Sequence, residues 1–111
     1  MVNDSSLDRV FSALADPTRR RIVEQLSKRT MTPGEIAKAF PISQPAISKH
    51  LRILEESGLL EREIAGRIHY CTLSPAAMDE VLRWIERQRR YWNASLDRLE
   101  TLLSKTSPKR K

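Results

Sequence analysis

Residues 32–56 read TPGEIAKAFPISQPAISKHLRILEE, and this stretch decides the fold because it contains two helix starts in close succession. Thr32 stands as a cap, Pro33 takes the first helical position, and Glu35 completes a capping box before Ile36, Ala37 and Phe40. The spacing predicts a very short helix ending near Pro41. Ser43 is the next cap, Pro45 is tolerated in a first turn, and Ile47, Leu51 and Leu54 recur at i, i+4, i+7 until Ser57-Gly58 stops the run. Two helices joined only by Phe40 to Ile42 make a helix-turn-helix, whose second helix can enter a DNA major groove. The connection holds Pro41 and no Gly, so it is expected to bend without a left-handed residue.

Working outward, Val10, Phe11 and Leu14, then Ile22, Val23 and Leu26, recur at helical spacing around a break at Ala15-Asp16-Pro17. Asp16 can cap and Pro17 can open a helix, which predicts two short helices meeting there. Beyond Gly58, Leu60 to Ile64 and Arg67 to Leu73 read as two strands around a turn at Ala65-Gly66, a β-hairpin. Ser74-Pro75 starts a long final helix in which Met78, Leu82, Ile85, Trp92, Leu96, Leu99 and Leu103 follow alternating steps of four and three. Only Arg89 breaks that seam. Lys105 to Lys111 contains Ser-Pro and four basic residues with nothing apolar, so the expected organisation is one domain over residues 1–104 and a disordered basic tail over 105–111.

The chain has 111 residues, with 20 Lys and Arg against 14 Asp and Glu and a net charge of +6. That size suits a single domain, and the basic excess points toward a polyanionic partner. No run approaches the about 18 consecutive apolar residues of a membrane span, and Met1 to Asp8 lack the apolar stretch of a secretory signal. The expectation is therefore a cytoplasmic protein without a membrane partner. Cys71 is the only cysteine, which excludes an intrachain disulfide and an all-cysteine zinc site within one chain.

Projected at about 100° per residue, the second helix of the motif puts Ala46, Ile47, His50, Leu51, Ile53 and Leu54 in one arc facing the core. Pro45, Ser48, Lys49, Arg52 and Glu56 fall opposite, with Gln44 at the border near the amino terminus, where such helices contact bases. Gln44 can pair bidentately with adenine, Ser48 can donate or accept, and Lys49 and Arg52 can meet guanine or phosphate. The helix amino terminus at Ser43 also favours a phosphate. The same stripe is equally compatible, on periodicity alone, with a solvated helix face. Residues 41–74 carry four basic and four acidic groups, so the basic excess lies outside this head. With Glu61 and Glu63 beside Arg62 and Arg67, any hairpin contact is a pinpoint arginine contact. The tail and Arg19-Arg20-Arg21 can supply general attraction, although a solvated face with local ion pairs explains the triplet better.

The run Leu14-Ala15-Asp16-Pro17-Thr18-Arg19, then Ser43 to Leu51, Ser57-Gly58-Leu59, Gly66-Arg67 and Tyr70 together resemble the ArsR-type winged helix-turn-helix repressors over nearly the whole chain before the tail. The resemblance implies a mainly α fold with a small β-hairpin, a winged helix-turn-helix with a long C-terminal dimerisation helix. It further implies a homodimeric repressor, released by a signal, whose two recognition helices read an inverted repeat in double-stranded DNA. Thr32, Ser43 and Arg67 are then the candidate phosphate contacts and Gln44, Ser48, Lys49 and Arg52 the candidate base readers, with Pro45, His50 and Arg62 completing the DNA-contacting set. The candidate dimer interface comprises Leu7, Val10 and Phe11 with Met78, Leu82, Ile85, Trp92, Leu96, Leu99 and Leu103. Many members sense metals through cysteines in the first helix of the motif or through His and carboxylates in the last helix. Thr32 to Phe40 has no Cys or His and Pro75 to Leu103 has no His, so neither site carries over, and no metal or cofactor is expected. Trp84, Tyr91 and Trp92 instead make the chain similar to the subgroup with a Trp-rich final helix.

Competing readings stand beside these. His69 and Cys71 are two apart on a strand and permit two metal ligands, but two are too few for tetrahedral zinc, and a packed strand pair explains them better. Cys71 as a redox sensor needs positive neighbours, for which only Arg67 and His69 are near in sequence. His50 is either a satisfied core histidine or a phosphate contact. Trp84, Tyr91 and Trp92 either fill a dimer seam or line a ligand pocket. Two His, one Cys and three Gly give no nucleophile constellation and no phosphate-cradling loop, so an enzyme is not expected. The serious alternative is a protein interaction module built on the same scaffold, which would carry a more apolar face than Gln44, Ser48, Lys49 and Arg52 provide.

Overall fold

Three local start signals set the helical frame. Asp16 caps α2 by accepting the Arg19 N–H at 3.0 Å, Thr32 and Glu35 form a complete capping box on α3, and Ser43 accepts the Ala46 N–H to open α4. The computed structural model describes residues 5–106, in the order α1 (Ser5–Leu14), α2 (Pro17–Lys28), α3 (Pro33–Ala39), α4 (Gln44–Glu56), β1 (Leu60–Ala65), β2 (Ile68–Leu73) and α5 (Pro75–Thr106). This is a mainly helical chain with an antiparallel hairpin, as expected from the sequence. Residues up to Glu80 form one compact unit and those from Val81 onward another.

In the first unit the buried side chains are the apolar-periodic ones. Ile22 and Leu26 of α2, Ile36 of α3, and Ile47, Leu51 and Leu54 of α4 are shielded together with Leu59, Leu60 and Cys71. Each such aliphatic side chain contributes about 1.5–3 kcal/mol by leaving water. α4 ends where Ser57, itself buried, donates to the Leu54 carbonyl at 2.7 Å and accepts from the Leu59 N–H, while Gly58 takes φ +87°. Those two residues turn the chain directly into β1.

The hairpin pairs Leu60 with Leu73 through to Ala65 with Ile68, which moves the turn one residue from its expected place, to Gly66-Arg67. Within this turn positive φ falls on Gly66 (+69°), the requirement of a two-residue turn with Gly first. Met31 adds a single bridge on the other side of β2, with its N–H and carbonyl both bonded to Cys71. A one-residue bridge has no periodicity, so it leaves no sequence signal.

Val10 is fully buried within the chain. It belongs to the core of this unit. α5 continues through Lys105 and Thr106, past the expected tail boundary, since a lysine suits the last turn of a helix electrostatically. The remainder of the expected tail, residues 107–111, lies outside the described residues.

Candidate nucleic-acid interface

The second helix of the motif presents a clean division. Ile47, Leu51 and Leu54 are buried, Ala46, His50 and Ile53 are partly covered, and Gln44, Pro45, Ser48, Lys49, Arg52 and Glu56 are exposed. The predicted core arc and its opposite face are thus both realised. Among the described residues, the side chains of Gln44, Ser48, Lys49 and Arg52 make no hydrogen bond or ion pair, so their donors and acceptors are available to a ligand. Ser43 and Thr32 are both occupied as acceptors, by the N–H groups of Ala46 and Glu35 at 3.3 and 3.1 Å. A hydroxyl that accepts still has its own proton to donate, and phosphate oxygens need donors.

Two arginines of the triplet make local hydrogen bonds. Arg19 Nε donates to the Ala13 carbonyl at 2.7 Å and its Nη2 to the Ser12 carbonyl at 3.3 Å, while Arg20 Nη1 donates to the Leu14 carbonyl at 2.7 Å. The last carbonyls of a helix have no partner within it, and here two arginines from the next helix satisfy those of α1. Arg19 also reaches α4, placing Nη1 3.2 Å from His50 Nδ1. A guanidinium has no acceptor, so Arg19 is the donor in this contact. Asp16 Oδ2 lies 4.0 Å from the same Nδ1. His50 is therefore a partly buried strut between the α1–α2 corner and the reading helix, set apart from the freely exposed readers.

The Arg19 N–H holds the Asp16 carboxyl below the usual aspartate range; burial opposes this, and the Arg19 guanidinium and the Thr18 N–H add to it. A carboxyl with a lowered folded-state pKa contributes stability that is complete above its unfolded value of about 3.9 and fades as pH falls through the folded value. Asp16→Ala is expected to lower stability by about 1 kcal/mol at neutral pH. Urea unfolding of both proteins from neutral pH into acid should show their difference shrinking; a difference that stays constant contradicts a charged cap.

The wing divides its two arginines. Arg67 is exposed at the turn, with no side-chain partner among the described residues. Arg62, expected among the DNA contacts, is only 28% exposed and its Nε lies 3.4 Å from Glu55 Oε1. That buried Nε has no hydrogen-bond geometry to any acceptor, so the contact balances charge without a directional bond. Arg62 Nε thereby ties β1 to α4. It faces Cys71 across the hairpin. Burial pushes the Cys71 thiol pKa up, with Arg62 pulling the other way, and a buried protonated thiol is a poor nucleophile. His69 is exposed where Cys71 is buried. Among the described residues no three His, Cys, Asp or Glu side chains gather to hold a metal.

On α5, Leu82, Ile85, Trp92, Leu96, Leu99 and Leu103 are 44–65% exposed, an apolar stripe too regular to be scattered surface. Leu7 and Met78 are partly covered and Phe11 is partly exposed. Tyr91 and Trp92 border a depression of about 220 Å³ with Gln88 and Ser95. Its walls omit Trp84, and it is smaller than the roughly 300 Å³ at which ligand pockets begin, which supports the seam reading. No helix among the described residues is long and apolar enough to cross a membrane.

A family described as a helix-turn-helix domain matches residues 14–63, the span from the α1–α2 corner into the wing. The chain is 37% identical to the transcriptional repressor SdpR of Bacillus subtilis, over 71% of this chain and 88% of that protein. It is 36% identical to the HTH-type transcriptional regulator Rv2034 of Mycobacterium tuberculosis over 82% of each. The solved structure of an ArsR-like transcriptional regulator from Rhodococcus sp. RHA1 superposes with a TM-score of 0.77, at 30% identity over 95% of this chain and 96% of that one. A crystal structure of an ArsR family transcriptional regulator superposes with a TM-score of 0.75, at 35% identity over 80% and 98%. The exposed polar face of α4, the capped helices behind it and these likenesses have one meaning: the chain belongs to the ArsR family of winged helix-turn-helix regulators and is a DNA-binding transcriptional regulator, not an enzyme.

Proposed function

We propose that this protein is a homodimeric repressor, working in the cytoplasm, that reads a short inverted repeat in double-stranded DNA. The observation that carries the reading is the α4 stripe, where Gln44, Ser48, Lys49 and Arg52 are exposed and unengaged opposite the buried Ile47, Leu51 and Leu54. Gln44 and Ser48 read base edges, Lys49 and Arg52 meet guanine or phosphate, and Thr32, Ser43 and Arg67 donate to phosphates on either side. Pro45 stands exposed in the first turn without a donor to offer, and His50 holds the helix from behind. The apolar stripe of α5 pairs with a second copy, so that two such heads face half-sites about one helical turn apart. The likeness to a protein named as a transcriptional repressor supports repression as the outcome.

Selection of bound duplexes from a random library at fixed, near-physiological salt tests the reading. An inverted repeat should emerge; a folded dimer that enriches no motif favours the interaction module. On the selected site Gln44→Ala is expected to cost about 1–3 kcal/mol and to relax preference at one position. Equal loss on all sequences contradicts base reading. Lys49→Ala, if Lys49 meets phosphate, is expected to weaken all sequences alike and reduce the salt slope by about one, measured by anisotropy titration across salt concentrations.

A further inference from the structure

A cavity of about 430 Å³ lies between α1 and the end of α4, lined by Arg9 and Ser12 on one side and by Ile53, Glu56 and Ser57 on the other. Its volume falls within the roughly 300–1,000 Å³ of small-molecule sites, and its lining belongs wholly to the unit that ends at Glu80. Helical spacing builds both walls. Arg9 and Ser12 are three apart on α1 and Ile53 and Glu56 three apart on α4, so each pair shares a face of its helix.

The two walls carry opposite charges that nothing compensates. Arg9 and Glu56 are exposed, and among the described residues neither makes an ion pair or a side-chain hydrogen bond, with the other or elsewhere. Glu55, the neighbour of Glu56, differs in having Arg62 Nε beside it at 3.4 Å. The last turn of α4 holds no basic residue, and the carboxyl end of a helix adds partial negative charge of its own. The α4 wall therefore attracts a cation. The α1 wall attracts an anion, because a guanidinium is all donors, and the Ser12 hydroxyl next to it has no partner among the described residues. Ser57 is closed to a ligand, since its hydroxyl donates to the Leu54 carbonyl and accepts from the Leu59 N–H. Ile53, half-buried between the charged groups, supplies apolar surface.

We propose that this cavity binds a small aliphatic amino acid, with its carboxylate on Arg9 and Ser12, its ammonium on Glu56 at the end of α4, and its hydrocarbon part against Ile53. A molecule with a single charge leaves the opposite wall unpaired and binds more weakly. The site shares no residue with the DNA-contacting set, so the inference stands apart from the reading of α4 as a recognition helix. It joins α1 to the same helix that carries Gln44 at its other end, which gives a small molecule a hold on the DNA-reading element.

Titration of the isotope-labelled full chain with L-leucine, γ-aminobutyrate and ε-aminocaproate, whose two charges stand progressively further apart, tests the site through amide shifts. At least one of these probes should saturate at millimolar concentration or below, with its largest shifts at Arg9, Ser12, Ile53, Glu56 and Ser57. Hexanoate and hexylamine, each keeping one of the two charges, should bind at least about tenfold more weakly. Arg9→Gln and Glu56→Gln should each weaken the best probe by about tenfold or more, with the circular dichroism of the chain unchanged because both residues are exposed. Absence of saturable shifts with all of the amino acids overturns the proposal, as does saturation with shifts that fall elsewhere or an affinity that survives both glutamine substitutions. Hexanoate or hexylamine binding as tightly as the best amino acid also overturns it, by showing a site for one charge only. Those two comparisons use the unsubstituted chain and decide the matter even where a substitution disturbs the fold.

Discussion

Arg19→Ala is expected to reduce stability by about 3 kcal/mol and to weaken operator binding on every sequence. One guanidinium serves three acceptors: the carbonyls of Ser12 and Ala13 at the end of α1 and Nδ1 of His50 on α4. Hydrogen bonds to a charged group contribute about 1.5–3 kcal/mol each, and partial exposure and non-additivity bring the sum down. The carbonyls left behind recover part of this from water, whereas His50, only 19% exposed, loses the donor that orients its ring. α4 then sits less precisely, and a recognition helix displaced by a fraction of an ångström loses all its contacts together. Arg19→Lys keeps the charge but cannot reach three acceptors at once, so it should recover less than half of the loss. Urea unfolding and anisotropy titration on the selected site check both effects. A stability change under about 0.5 kcal/mol, the size usual for an unremarkable surface substitution, contradicts the role assigned to Arg19.

Leu96→Asp is expected to abolish the dimer and with it high-affinity binding to the inverted repeat. In the proposed dimer Leu96 lies in the α5 stripe that pairs with a second copy, so each dimer would bury two carboxylates in an apolar seam. Breaking charge compensation in a buried site costs about 3–5 kcal/mol, and symmetry doubles the insult. Because Leu96 is 53% exposed in the single chain, the substitution places its charge in water when the chain is alone, so the monomer should keep its fold. Sedimentation with circular dichroism separates these effects. A stable dimer that still binds the repeat shows that α5 does not form the subunit contact.

Much of the fold was legible from residues close together in the chain. Asp16, Thr32 and Ser43 each mark a helix start because a cap needs only a side-chain oxygen and an N–H three positions on. Gly66 marked the hairpin, yet the turn fell one residue later than expected, because small residues at both Ala65 and Gly66 left the register to strand pairing. The reading face of α4 was legible too, since helical periodicity separates Ile47, Leu51 and Leu54 from Gln44, Ser48, Lys49 and Arg52. Val10, by contrast, reads as an apolar residue on a surface helix, and nothing in its spacing tells a core position from a subunit contact.

The sequence by itself determined where the helices begin, which side of the recognition helix faces inward, and that the final helix carries a seam broken at Arg89. Those properties follow from hydrogen bonds and periodicities that close within a few residues. Which basic groups have partners within the chain was decided only by the tertiary structure: Arg19 and Arg20 are engaged by the carbonyls of α1 and Arg62 Nε lies beside Glu55, while Lys49, Arg52 and Arg67 are left open among the described residues. An arginine's charge is legible anywhere along a chain, but its partner is set by which elements fold against it.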